Sequence, residues 1–327
     1  MSEIRLIEAV RDGLREELAA KPEVFLIGQD IGVNGGVFRV TDGLFEEFGP
    51  NRVIDSPLAE SGMIGVAIGA AMNGMRPVVE IQFADFIFPA FNQVVSEAAR
   101  MCYRTNGEYS VPLVVRAPYG GGVRGGLYHS QSVEAYFAHV PGLKVVVPSN
   151  PYDAKGLLKA AIRDDNPVLF FEHKLSYNTV QGEVPEDDYM VPIGEAAVRR
   201  EGESLSLISY GLSVHHCLEA AEVLSGEGIS CEVVDLRTVR PLDTVTLLES
   251  VKKTGRACIV HEDNLTGGVG AEVAAIIAKE AFEYLDAPVQ RVAAPDVPSF
   301  PYSPVLEDSL LPGPADIIRV AWELAVY

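Results

Sequence analysis

From Val24 to the carboxyl terminus, short runs of β-branched and aromatic residues alternate with stretches of helical period. Alternation of that kind marks parallel strands joined by crossover helices, which restricts the chain to an α/β architecture. In the first half the predicted strands are Val24–Gly28, Val78–Gln82, Leu113–Ala117, Lys144–Val147 and Val168–Glu172. Most are unbroken apolar runs, as strands covered on both faces must be. Glu8–Leu18, Ser61–Met72, Phe91–Tyr103 and Tyr152–Ile162 read as the helices between them.

The pattern breaks from Asn178 to about Glu203, where Gly182-Glu183-Val184-Pro185-Glu186-Asp187-Asp188 has no stable period. Acidic, proline-bearing sequence between two ordered series predicts a linker. A second series follows, with strands at Leu205–Tyr210, Cys231–Leu236, Ala257–His261 and Val289–Ala293. Its helices are expected near His215–Leu224, Asp243–Val251, Val269–Phe282 and Ala315–Ala325. The expected division is a first domain over 1–180, a linker over 181–203 and a second domain over 204–327. No repeat of 20–50 residues is evident, which argues against a solenoid.

Composition narrows the functions. The 327 residues, 48% of them hydrophobic, suffice for two cores. With 26 basic and 46 acidic side chains the net charge is −20, so the chain would repel a phosphate backbone, and no nucleic-acid partner is expected. An acidic surface serves solubility or a basic partner. Met1-Ser2-Glu3-Ile4-Arg5 opens neither a secretory signal nor a transit peptide, and no apolar run approaches the ~18 residues of a membrane span. Cys102, Cys217, Cys231 and Cys258 are scattered, as buried thiols of a reducing compartment are. A cytoplasmic location is expected, or the mitochondrial matrix for a eukaryotic chain.

Four clusters could carry chemistry. Asp55-Ser56-Pro57-Leu58-Ala59-Glu60-Ser61-Gly62 places Glu60 at the start of a helix. It is either a surface carboxylate favoured by the helix dipole or a carboxyl in a poorly hydrated cleft, tuned for acid–base work. Gln82-Phe83-Ala84-Asp85-Phe86-Ile87-Phe88-Pro89-Ala90-Phe91 sets four aromatics after a strand, where a ring can stack on a ligand or pack in the core. Tyr119-Gly120-Gly121-Gly122-Val123-Arg124-Gly125-Gly126-Leu127-Tyr128-His129-Ser130-Gln131-Ser132 lacks the ending of a P-loop and the spacing of a dinucleotide fingerprint, and reads better as a mobile wall presenting His129. Ala160-Ala161-Ile162-Arg163-Asp164-Asp165-Asn166-Pro167 is either a plain turn or an oxygen cage for a hard cation. The helix after Glu60 is itself unusual: Gly62, Gly65, Ala67, Gly69, Ala70 and Ala71 leave it little bulk. Each glycine costs a helix up to ~1 kcal/mol relative to alanine, so close approach of another element to this backbone is expected.

At these residues the chain resembles the β subunits of the thiamine-diphosphate-dependent 2-oxoacid dehydrogenases. The resemblance rests on Gly28-Gln29-Asp30-Ile31-Gly32-Val33-Asn34-Gly35-Gly36-Val37-Phe38, Pro57-Leu58-Ala59-Glu60, Ile81-Gln82-Phe83-Ala84-Asp85, His129-Ser130-Gln131-Ser132 and Pro141-Gly142-Leu143-Lys144-Val145-Val146, in that order. It implies two parallel-sheet α/β domains, a transketolase-like pyrimidine-binding domain and then a transketolase C-terminal-type domain. Glu60 matches the glutamate that bonds the aminopyrimidine ring, and Phe86, Leu58 and Gln82 match the surroundings of that ring. His129 matches the histidine that handles protons as the acyl group passes to lipoamide. Leu113, Ala161, Ile162, Asp164 and Asn166 match positions that hold a structural potassium ion in some relatives.

The resemblance also implies what is missing. The family's diphosphate and magnesium site uses Gly-Asp-Gly followed about thirty residues later by Asn, and no Gly-Asp-Gly occurs here. An α subunit holding the magnesium is therefore expected, in an α2β2 heterotetramer, with a lipoyl-bearing acyltransferase core that docks through its small basic subunit-binding domain. Leu127–Ser132 followed by Glu134-Ala135-Tyr136-Phe137-Ala138-His139 looks most like the branched-chain enzymes, whose substrates include 2-oxoisovalerate. Pyruvate and acetoin dehydrogenases are close. A transketolase normally carries both halves in one chain, and a nucleotide-binding electron-transfer subunit would need the absent fingerprint.

Overall fold

The computed structural model describes residues 2–327; Met1, where the amino-terminal reading and the first domain begin, lies outside them. The chain forms two compact units. One runs to Tyr119 and resumes over Tyr136–Ile193, and the other comprises Gly120–Ala135 and Gly194–Tyr327.

The first unit holds β1 (Ser2–Arg5), β2 (Val24–Gly28), β3 (Val53–Asp55), β4 (Arg76–Glu80), β5 (Val114–Tyr119), β6 (Lys144–Val146), β7 (Val168–His173) and β8 (Gln181–Val184). Its sheet runs β6-β7-β5-β4-β2-β3, parallel at every pairing. Every residue of β2, β5 and β7 is buried, which accounts for their apolar character. On one face, Leu6, Val10, Leu14 and Leu18 of the helix Leu6–Ala20 recur every fourth residue and meet Leu157, Leu158 and Ile162 of the helix Pro151–Arg163. Such side chains contribute about 1.5–3 kcal/mol each on burial.

The second unit holds β9 (Ala197–Arg200), β10 (Leu205–Ser209), β11 (Cys231–Asp235), β12 (Thr238–Arg240), β13 (Ala257–Asn264) and β14 (Gln290–Ala294). Its sheet runs β14-β13-β10-β11-β9, parallel except for β9, which pairs antiparallel at the edge. The helices Ser213–Gly226 and Pro314–Ala325 pack Cys217, Leu224, Ala321 and Leu324 against it. Cys217, Cys231 and Cys258 are buried free thiols; burial pushes Cys231 to about 11 and Cys258 to about 12, so they stay protonated and inert. Among the described residues no helix is long and apolar enough to cross a membrane.

Three expectations change. The expected linker over 181–203 is not structureless: β8 pairs antiparallel with β1, and β9 joins the second sheet. The boundary falls between Ile193 and Gly194, and Gly120–Ala135 belongs to the second unit although it follows β5 of the first. The helix expected at Phe91–Tyr103 is irregular, with a π turn over Gln93–Ala98 leading into an α-helix at Ala99–Arg104. Pro89 lies in the 3-10 turn Ala84–Ala90 just before it and has no N–H to give a regular helix.

Candidate active site

In parallel sheets ligands collect beyond the carboxyl ends of the strands. There the first unit assembles Glu60, Gln29, Asp30 and Gln82, from the segments that follow the neighbouring strands β3, β2 and β4. Glu60 opens the helix Glu60–Met72, whose N-cap Ala59 offers no side-chain acceptor, so the carboxyl occupies the first turn where the dipole favours negative charge. It is 9% exposed, and among the described residues its carboxylate takes one hydrogen bond, from Gln29 Nε2 to Oε1 at 3.2 Å. Gln82 Nε2 donates to Asp30 Oδ2 at 3.1 Å, and Asn34 Nδ2 to Asp30 Oδ1 at 3.2 Å. Asp30 itself is in the left-handed region, with φ of 57°. Adjacent residues of one turn thus hold both Glu60 and Gln82. Leu58, two residues before Glu60, is exposed.

Phe86 is half-buried and begins a chain of rings. Its ring meets Phe83 at 5.7 Å, Phe83 meets Phe38 at 5.2 Å, and Phe38 meets Tyr177 at 5.6 Å. Packing claims at least part of the cluster. Behind the rings lies a knot that sequence reading missed. Arg116 Nε and Nη2 donate to Glu172 Oε1 and Oε2 at 2.7 and 2.8 Å, and Nη1 donates to Glu80 Oε2 at 2.7 Å. Tyr177 Oη donates to Glu172 Oε2 at 2.6 Å. All four residues are at most 5% exposed. Burial works against the Arg116 charge, but Glu172 and Glu80 outweigh it and raise its pKa; burial pushes the Glu80 carboxyl up against the pull of Arg116. The knot joins the middle of β5 to the carboxyl-terminal parts of β4 and β7.

His129 lies in the second unit, half-buried, on a loop that the structure shows to be tied down. Gly120 N donates to Gln131 O at 3.0 Å, Gly121 N to Glu262 Oε1 at 2.6 Å, and Gly122 N to Glu307 Oε1 at 3.1 Å. The expected mobile wall is instead anchored, because glycines that loosen a free loop also let its amides approach buried carboxylates. Beside it Glu134 is fully buried, with Oε1 accepting from Tyr210 Oη at 2.8 Å and Oε2 without a hydrogen-bond partner among the described residues. Burial and the nearby Asp263 push its carboxyl up to about 8, and burial pushes Asp263 to about 6. Nothing in the sequence distinguishes Glu134 from a surface acid.

The turn read as a cation cage lies at the opposite, amino-terminal end of the first sheet. Leu113 O accepts from Val168 N at 2.8 Å, Ala161 O from Asp164 N at 3.3 Å, and Asp164 Oδ1 from Asn166 N at 2.9 Å. Arg76 Nη1 donates to Ile162 O at 3.0 Å and Asp164 O at 2.9 Å, and the Lys144 ammonium pairs with the Asp164 carboxylate. The donor set is all oxygen and each carbonyl keeps a second lone pair, which suits a hard monovalent cation; the turn already gathers two fixed cations.

The small-residue helix Glu60–Met72 has an open face. A Cβ on Gly65 would find only the tip of Gln93 at 4.0 Å, one on Gly69 would find nothing within 4 Å, and Val66 is 60% exposed. Among the described residues the close approach expected on that face does not occur.

The first-unit site fits an aminopyrimidine: a buried carboxyl with one oxygen steadied by Gln29, a flat ring and an exposed aliphatic residue suit a heterocycle with polar edges. Residues 2–180 match the transketolase pyrimidine-binding domain family and residues 194–317 the transketolase C-terminal domain family. The chain is 55% identical to 2-oxoisovalerate dehydrogenase subunit beta of Bacillus subtilis over 327 residues, all of both chains. It is 50% identical to the pyruvate dehydrogenase E1 component subunit beta of the same organism over 321 residues, 98% of each. In fold it is similar to a split-gene transketolase solved as an inactive beta4 tetramer, with a TM-score of 0.81 and 24% identity over 99% of this chain and 98% of that one. The chain therefore belongs to the β subunits of the thiamine-diphosphate-dependent 2-oxoacid dehydrogenases.

Proposed function

We propose that this chain supplies the pyrimidine-binding half of an active site completed by an α subunit, and that the assembled enzyme decarboxylates a branched-chain 2-oxoacid such as 2-oxoisovalerate. The observation that carries the reading is the buried Glu60 carboxyl, bonded to Gln29 at the carboxyl ends of the first sheet. Thiamine diphosphate, when bound, supplies a carbon acid that attacks the 2-oxo carbonyl and an electron sink for the departing carboxylate. Glu60 holds a proton against the ring nitrogen, Gln29 keeps that carboxyl in place, and Leu58, Gln82 and Phe86 seat the ring. His129 carries a proton during acyl transfer. In the net reaction the bond between carboxylate and 2-oxo carbon breaks to release carbon dioxide, and its electron pair reduces the lipoyl disulfide. One sulfur takes the acyl group and the other a proton.

The α subunit provides the magnesium and diphosphate half, which the missing Gly-Asp-Gly leaves open, in an α2β2 heterotetramer. The open glycine face of the helix Glu60–Met72 is the surface where another chain's backbone would approach. A core acyltransferase docks on the second unit through a basic domain that the net charge of −20 favours, so its binding weakens steeply with salt. Potassium sits at the turn of Leu113, Ala161, Ile162, Asp164 and Asn166, sharing carbonyls with Arg76.

The test is reconstitution with the α subunit and assay with 2-oxoisovalerate, pyruvate and acetoin. Highest kcat/KM on 2-oxoisovalerate supports the branched-chain reading, which rests on the greater likeness to that relative. Preference for pyruvate would replace it with the pyruvate dehydrogenase reading, and preference for acetoin with the acetoin one. Full activity of this chain alone would overturn the need for an α subunit.

A further inference from the structure

Arg124 has a φ of 62°, a left-handed conformation that arginine adopts at a cost and without the local side-chain bonds that help asparagine or aspartate. Strain kept in a residue that could have been glycine points to a task for the side chain. Nη1 of Arg124 reaches Glu307 Oε2 and Asp308 Oδ1, each at 2.6 Å, and Nη2 reaches Asp308 Oδ2 at 3.2 Å. Glu307 is fully buried, and its other oxygen takes Gly122 N. The next residue, Gly125, packs directly on His129: a Cβ there would lie 2.6 Å from His129 O and 2.7 Å from His129 Cβ. At Gly126, whose φ is 65°, a Cβ would lie 2.5 Å from the Tyr302 ring.

The loop is thus a small Ω-loop, closed at its base by Gly120 and Gln131 and held at its crown by the Arg124 side chain and the Gly122 amide, which share Glu307. We propose that Arg124 is a positioning residue for His129, a latch that fixes the crown of the loop on Glu307 and Asp308 and, through Gly125, sets where the imidazole stands. The proposal rests on the reading of His129 as the proton carrier of acyl transfer.

The test uses the assembled α/β enzyme carrying Arg124→Met, Arg124→Lys or His129→Ala. Decarboxylation of 2-oxoisovalerate is coupled to an artificial electron acceptor, and acyl transfer is measured separately on an isolated lipoyl domain. Arg124→Met lowers kcat for acyl transfer by about tenfold or more, a loss typical of a misplaced group, and leaves the dye-coupled reaction within about twofold. Arg124→Lys, which restores the charge without the fork, recovers some of the loss. Amide exchange in Arg124→Met quickens at Gly121 and Gly122 while β5 stays protected. Unchanged acyl transfer, or equal loss in both half-reactions, overturns the proposal. Unchanged exchange at Gly121 and Gly122 overturns the latch itself, whatever the kinetics. If His129→Ala leaves acyl transfer intact, the reading of His129 falls, and the exchange result still judges the latch. Should Arg124→Met fail to assemble, Asp308→Asn keeps Glu307 paired and produces the same pattern at smaller size; its absence there overturns the proposal equally.

Discussion

Arg116 in the first unit and Arg124 in the second each bind two carboxylates, yet they do opposite work. Arg116 is 1% exposed and joins strands whose backbones are already fixed by the sheet. Arg124 has a side chain 38% exposed and holds a loop that has no ladder of its own. The first arrangement fixes three strands at the cost of burying charge, and the second ties a loop to a distant segment through a side chain that stays partly in water. On the function proposed above, the first solution would suit the seat of a bound ring and the second a histidine that meets an incoming carrier.

The largest effect expected is from Arg116→Met. It strands Glu80 and Glu172 in the interior, which costs about 3–5 kcal/mol, enough to lower the urea midpoint sharply or leave the chain insoluble. A change no larger than that of a surface substitution would dissolve the contrast between knot and latch. Glu60→Gln in the assembled enzyme keeps the fold and lowers kcat by about 10²–10⁴-fold, the range of a lost proton-handling group. Circular dichroism and the dye-coupled assay separate the two outcomes.

Glu134 sharpens the comparison, since it is a buried acid whose hydrogen bond, among the described residues, comes from the neutral Tyr210 hydroxyl. Its folded value of about 8 lies above the ordinary glutamate value of about 4.3, so between these the folded chain keeps a proton that the unfolded chain has lost. Stability contributed by that proton is present at acid pH and is lost as pH rises through the window. Asp263, at about 6, acts with the same sign over a narrower range. Urea midpoints from pH 5 to 9 should fall, and Glu134→Gln should flatten the decline; an unaltered slope would assign it elsewhere.

Arg124→Met costs less than Arg116→Met, because the fully buried Glu307 keeps the Gly122 amide while only the exposed Asp308 is released, and the Asp308 part of the effect fades with salt. The smallest effect expected is a modest rise in Tm when potassium chloride replaces choline chloride, because Arg76 and Lys144 already neutralise the turn at Asp164. Identical melting in both salts would remove potassium from this site.

The parallel sheets and the Glu60 turn were legible because apolar period and local helix chemistry report themselves along the chain. Val24–Gly28 matches its expected strand at both ends, and Leu205–Ser209 stops one residue short. β3 and β9 escaped notice because three or four residues with polar ends carry too little period. Gln29 belonged to a family motif, but its bond to Glu60 follows from β2 lying beside β3, which no local pattern announces. Arg116 and Glu172 hid inside strands, where a polar residue in an apolar run looks like noise until the order β4-β5-β7 puts them on neighbouring strands, two residues apart in register. The glycine-rich loop was misread as mobile because its anchors, Glu262 and Glu307, come from far along the chain.

That loop also decides where the gene can be cut. A division after Ile193 follows the boundary in sequence order, but the second unit would then lack Gly120–Ala135. Glu262 would lose the Gly121 amide and the Ser132 hydroxyl, and Glu307 both the Gly122 amide and Arg124, leaving two buried acids without these donors. Fragments or chimeras made at that boundary should misfold in the carboxyl-terminal piece unless the loop travels with it. What descends as a unit is the loop together with its distant anchors.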